Sequence, residues 1–118
     1  MTLDIDINTI INADRKYVAE SDLSDGKDRI VLIKDVVEEP VYNPKTNQND
    51  NKIVLYFENN ALKPFVLGSK TNFKAIKKAT GTSRTKEWVG KKIQLYRAVE
   101  PRSETGYAAR IRDFAPNV

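Results

Sequence analysis

Residues 67–82 read LGSKTNFKAIKKATGT, and within them Gly68-Ser69-Lys70-Thr71 carries the glycine, lysine and hydroxyl of a nucleotide phosphate loop. That chemistry needs a further glycine five residues ahead of Gly-Lys-[Ser/Thr], so that successive backbone N–H groups wrap the phosphates. Here Ser69 separates Gly68 from Lys70, and the preceding KPFVL contains no glycine, so the wrap does not form. The chain also has no cysteine and no histidine, which removes thiolate nucleophiles, imidazole bases and most transition-metal sites. Its carboxylates are scattered singly or sit in the solvated pair Glu38-Glu39, with no cluster to hold magnesium for a nuclease. The expectation is a protein that is not an enzyme and uses no cofactor and no metal.

Binding chemistry has better material. Residues 1–59 hold 7 Lys or Arg against 12 Asp or Glu, a balance of −5, whereas residues 60–118 hold 13 against 4, a balance of +9. A basic half in so short a chain suits a polyanion, nucleic acid being the commonest. The competing reading is that the two halves fold together and their charges mix over one surface. No apolar run approaches the roughly 20 residues that span a bilayer, so no membrane partner is expected. The N-terminus MTLDIDINTIINADRKY is acidic and polar where a secretory leader is basic and then apolar, which points to the cytoplasm, as does the absence of cysteine.

The elements that position these residues follow from pattern. At 118 residues the chain makes a single domain, 1–118. RIVLIKDVVEE (29–39) is a β-branched strand after the turn signal Ser24-Asp25-Gly26-Lys27. Residues 40–51, with two prolines and four asparagines, read as a long loop. KIVLYFE (52–58) and LKPFVL (62–67) form a hairpin of second and third strands. Thr71 or Asn72 caps a helix ending at Gly81, with Phe73, Ile76 and Ala79 or Thr80 facing inward and Lys70, Lys74, Lys77 and Lys78 outward. Trp88 closes the core beneath it, and KKIQLYRAVE (91–100) and YAARIRDFA (107–115) supply the last two strands around a loop at 101–106. Alternation of Leu3, Ile5 and Ile7 with polar residues suggests one further strand. The order, three strands, one short helix, two strands, predicts a mainly β chain: a five-stranded OB-fold (Greek-key) barrel with the helix between strands three and four.

An OB barrel binds over its second and third strands and the loops joining strands one to two and four to five. Flat rings there stack on bases while Lys and Arg follow the phosphates. The candidate stacking rings are Tyr42, Tyr56, Phe65 and Tyr107, and the candidate phosphate contacts Lys45, Lys52, Lys63, Arg97, Arg102 and Arg110. Strand parity points Phe65 and Tyr107 toward the core as readily as toward the groove. The helix lysines are a secondary track in this scheme.

The runs KPFVLGSKTNFKAI, EWVGKKIQLY and TGYAARIRDF, spread over residues 62–114, resemble those of small phage OB-fold single-stranded DNA-binding proteins, such as those encoded by lactococcal phages. The resemblance implies sequence-independent binding of single-stranded DNA in phage replication or recombination, in the host cytoplasm. It also implies a homo-oligomer, a dimer being favoured, with replication or recombination proteins as further partners. The ending DFAPNV lacks the acidic tail through which bacterial counterparts recruit such proteins. The alternative is a protein-interaction barrel whose basic half docks an acidic partner without touching nucleic acid.

Overall fold

The computed structural model describes residues 2–4, 16–43 and 45–117. Five antiparallel strands form one sheet: β1 (Arg29–Asn43), β2 (Gln48–Phe57), β3 (Phe65–Leu67), β4 (Lys92–Val99) and β5 (Tyr107–Ile111), in the spatial order β3-β2-β1-β4-β5. The helix α1 (Lys70–Thr80) follows β3 and precedes β4. Ile5 and Ile7, on which a further N-terminal strand would depend, lie outside the described residues.

β1 organises the sheet because it serves two partners. Its first residues pair with β4, from Arg29 opposite Leu95 to Leu32 opposite Lys92, and the remainder pairs with β2, from Ile33 opposite Phe57 to Asn43 opposite Gln48. The changeover is a bulge: β1 advances from Ile33 to Asp35 while β2 advances only from Phe57 to Tyr56, leaving Lys34 as the extra residue. One extra residue exchanges the faces of everything beyond it. Val31 and Ile33 are buried before the bulge, and Val36 packs on the same core after it. Leu55 and Phe57 of β2, Phe65 and Leu67 of β3, Ile76 of α1, Ile93 and Leu95 of β4 and Ile111 of β5 complete that core.

Two expectations are corrected here. Residues 40–51 are not a loop: the β1–β2 ladder continues through Tyr42 opposite Asn49 to a tight turn. The asparagines that suggested a loop build this turn, Asn43 Oδ1 accepting from Lys45 N–H (3.0 Å), Asn43 O accepting from Asn47 N–H (2.9 Å) and Asn47 standing at φ 57°. Side-chain polarity there reports that the arm has no core beneath it, and an antiparallel ladder tolerates that. Nor is the sheet a closed barrel, since among the described residues no ladder joins β3 to β5.

What occupies the free edge of β5 is a side chain. Arg112 N–H bonds to Gln94 O and Glu100 N–H to Gly106 O, each at 2.8 Å, so the even-numbered residues of β5 bond toward β4 and Ala109 and Ile111 bond outward. The Asn72 amide meets both, its Nδ2 donating to Ala109 O (3.3 Å) and its Oδ1 accepting from Ile111 N–H (3.0 Å). Asn72 is 5% exposed, and its burial sets the rotation of α1. Ser69, rather than Thr71 or Asn72, is therefore the N-cap, its Oγ accepting from Asn72 N–H (3.2 Å). Gly81 ends the helix at φ 77°, as its position suggested. The inward face holds Asn72, Ala75, Ile76 and Ala79, which leaves Phe73 on the border, 37% exposed rather than buried.

Asn72→Ala leaves Ile111 N–H buried without an acceptor, a loss of about 1–3 kcal/mol. Urea unfolding should show it against Thr71→Ala, an exposed neighbour expected within about 0.5 kcal/mol of the parent. Equal midpoints for the two variants would remove Asn72 from this role.

Candidate nucleic-acid interface

The structure divides the expected contact residues between the two ends of β1. Tyr42, the last residue but one of β1, and Lys45, in the turn beyond it, are exposed at the hairpin end. Arg97, Arg102, Tyr107 and Arg110 surround the β4–β5 connection, which lies beyond the first residue of β1. The intervening contour of β1 is about 46 Å at roughly 3.3 Å per residue. Lys52 stands between them, opposite Glu39. Phe65 is no stacking ring: it is 3% exposed, in the core.

Most of the expected cations already hold carboxylates. Arg97 lies with its guanidinium 3.6 Å from the centre of the Tyr107 ring and its Nε 3.2 Å from Glu20 Oε2. Glu100 takes Arg102 Nε (3.1 Å) on one oxygen and Arg110 Nη2 (3.0 Å) on the other, and these bonds, that to Arg102 foremost, hold its carboxyl below the usual range. Arg110 Nη1 also donates to Ser69 Oγ (2.9 Å), tying β5 to the start of α1. Lys63 lies 3.5 Å from Asp22, and Arg112, stacked 3.5 Å over Tyr96, pairs with Asp28 at 2.9 Å. Three of these pairs, with Glu20, Asp22 and Asp28, join the acidic half of the sequence to the basic half, so part of the charge asymmetry is cancelled by folding.

Tyr56 is committed as well. Its hydroxyl donates to Glu39, whose other oxygen accepts from Lys16 Nζ (2.9 Å) and Tyr17 OH (2.8 Å). Lys52, not Tyr56, stands opposite Glu39, so the tyrosine must lean along the strand past Val54 to reach it. With Val18 N–H donating to Pro64 O (2.9 Å), these bonds fasten residues 16–18 to the sheet. The three donors, Tyr56 first, pull the Glu39 carboxyl down to about 2. Glu39 in turn raises the Lys16 ammonium and the Tyr56 phenol, and burial, with Glu39 second, raises the phenol of Tyr17.

Lys27, Lys34, Lys45, Lys52, Lys91 and Lys92 have no carboxylate partner among the described residues, and five further such cations lie close together in sequence on α1 and the segment after it. At about 100° per residue the exposed face of α1 runs, across its width, Phe73, Lys77, Lys70, Lys74 and Lys78. Of these lysines only Lys78 has an ion pair among the described residues, to Asp113 at 3.5 Å. Arg84 and Lys86, exposed in the segment after the helix, have none. A groove of about 380 Å³ lies on one side of the lysines, between Lys74, Lys78, Tyr96 and the half-exposed Phe114. On the other side a cleft of about 290 Å³ opens between Phe73, Lys74 and Lys77 of α1 and Ser83 and Thr85, over Ile53 and Trp88. Trp88 belongs to the core, as expected, and its Nε1–H donates to Thr82 O at 2.9 Å.

No family model, curated protein or solved structure matches the chain. The site therefore stands on its geometry. Among the described residues no group of His, Cys, Asp and Glu is placed to hold a metal ion, and no helix is long and apolar enough to cross a membrane. The signal for the helix surface was present in the sequence as the spacing of Lys70, Lys74, Lys77 and Lys78. The cleft beside it was not, because it depends on where Asn72 turns Phe73.

In the unfolded chain Glu39 titrates near its ordinary 4.5, so between that value and about 2 the folded state binds fewer protons. Its contribution to stability is complete above about 4.5 and is lost as pH falls through the folded value. Glu39→Gln should lower Tm at neutral pH by an amount that shrinks as pH falls from 4.5 toward 2. A Tm difference that stays constant throughout would contradict this.

Proposed function

We propose that this chain binds single-stranded DNA with little sequence preference, on an OB-like scaffold. The observation that carries the reading is a group of exposed cations without carboxylate partners among the described residues, Lys70, Lys74 and Lys77 on one helix face with Arg84 and Lys86 in the segment after it, of which Lys74 and Lys77 share a cleft with a partly exposed phenylalanine. Cations release counterions from phosphates, and an exposed ring stacks on an unpaired base. A duplex offers the phosphates but keeps its bases stacked on one another.

The strand order supports the scaffold. A long bulged β1 between β2 and β4, with the helix between β3 and β4, is the arrangement of a five-stranded Greek-key barrel left open between its third and fifth strands. The resemblance in residues 62–114 extends the proposal to phage DNA replication or recombination in the host cytoplasm, with a homodimer as the working assembly.

Fluorescence anisotropy with labelled oligo-dT and with a duplex of equal length tests the reading. Affinity for oligo-dT should exceed that for duplex and fall with salt, with a log–log slope of about −2 to −3 for three or four engaged cations at roughly 0.7 each. Equal affinity for the duplex, or no salt dependence, would sink the proposal. Absence of binding to either DNA, with an acidic protein retained instead, would favour an interaction module.

A further inference from the structure

Single-stranded binding by an OB barrel is expected over β2, β3 and the flanking loops, and of the cations expected there only Lys45 and Lys52 are without a carboxylate among the described residues. Phe65 is in the core, Tyr56 is bonded to Glu39, and Arg97, Arg102, Arg110 and Lys63 each lie against a carboxylate. An arginine already paired releases fewer counterions on meeting a phosphate, because its charge is partly neutralised beforehand. On the helix side Lys70, Lys74 and Lys77 are all without a carboxylate among the described residues.

We infer that the DNA strand crosses α1, with one base entering the cleft between Phe73 and the segment 83–85 and the adjoining phosphates resting on Lys74 and Lys77. The inference rests on the proposed single-stranded DNA binding and specifies its path. Four features of the cleft support this occupant. Its floor, Ile53 and Trp88, is apolar, and the Trp88 N–H is already satisfied by Thr82, so the floor demands no polar partner from a ligand. Phe73 presents a partly exposed ring at the rim, on the strip of helix surface next to Lys77. The hydroxyls of Ser83 and Thr85 bond to no other described residue and are free to meet base edges. No carboxylate lines the cleft, while Lys74 and Lys77 border it and Arg84 and Lys86 flank the opposite wall in sequence.

The juxtaposition has a structural cause. Asn72 must face β5 to cap its edge, which carries Phe73 about 100° around the helix to the rim of the cleft. Lys77, one turn further on, then stands over the same opening, and Lys74 lies across the ridge between this cleft and the groove beside Phe114. A strand leaving the cleft therefore passes over Lys74 onto a second basic groove without crossing an acidic side chain until Asp113.

The experiment compares oligo-dT binding by the full chain and by four variants, after circular dichroism and thermal melts show each folded. Lys74→Ala/Lys77→Ala should weaken binding at least tenfold at low salt and make the salt slope shallower by about 1.4, two cations at roughly 0.7 each. Phe73→Ala should weaken it about 5- to 150-fold with the slope unchanged, the range for loss of one stacked base. Phe73→Tyr, which keeps the ring, should restore affinity. Lys45→Ala/Lys52→Ala on the hairpin should change it less than threefold. Parent-level binding by the α1 variants, with loss in the hairpin variant, would overturn the path while leaving single-stranded binding intact. A parent chain that does not bind oligo-dT would overturn the function and with it the path.

Discussion

The side-chain amide of Asn72, bonded to both Ala109 O and Ile111 N–H, occupies the outer edge of β5 and fixes where α1 sits on the sheet. A strand edge has a donor and an acceptor at every second residue, and buried ones are costly to leave unmade. A primary amide is the one side chain that copies the peptide's own pair of groups, so a single asparagine can stand where another strand would. The Ser69 and Arg110 contact reinforces the same junction from the opposite strand face. Several features follow from this placement: the sheet is left open beside α1, the helix presents its lysines outward, and Phe73 is displaced from the core to a rim.

Charge is the second organising feature, and folding redistributes it. The acidic residues Glu20, Asp22 and Asp28, close together in sequence before β1, are spent on Arg97, Lys63 and Arg112 from the basic half. These pairs are part-buried, whereas fully exposed ones add only about 0–1 kcal/mol each to stability. The part-buried pairs also decide which cations remain without a carboxylate. Five of the cations left without a carboxylate among the described residues, Lys70, Lys74, Lys77, Arg84 and Lys86, lie on α1 and the segment after it.

Much of the architecture was legible in the residues. The alternating runs of β1, β2 and β4 announce themselves because each buries one face over part of its length, and Gly81 marks the helix end because few other residues adopt φ 77° without strain. The hairpin arm was hidden, since Asn49, Asp50 and Asn51 have no core to face and so show no hydrophobic alternation although they pair. The bulge at Lys34 was hidden too, and with it the parity of everything that follows on β1. The candidate site suffered most from such local decisions. Asn72 reads as a helix cap from its type, and only the β5 edge, far away in sequence, turns it inward. Phe65 and Phe73 then exchange roles, one entering the core and the other leaving it.

Amide NMR of the uniformly labelled chain during titration with oligo-dT tests most directly the claim that the basic helix face is where a single strand lies. The largest shift changes should cluster at residues 70–78 and 83–88, with small changes at the hairpin turn. Changes concentrated at residues 42–52 and 97–110, with α1 silent, would contradict it.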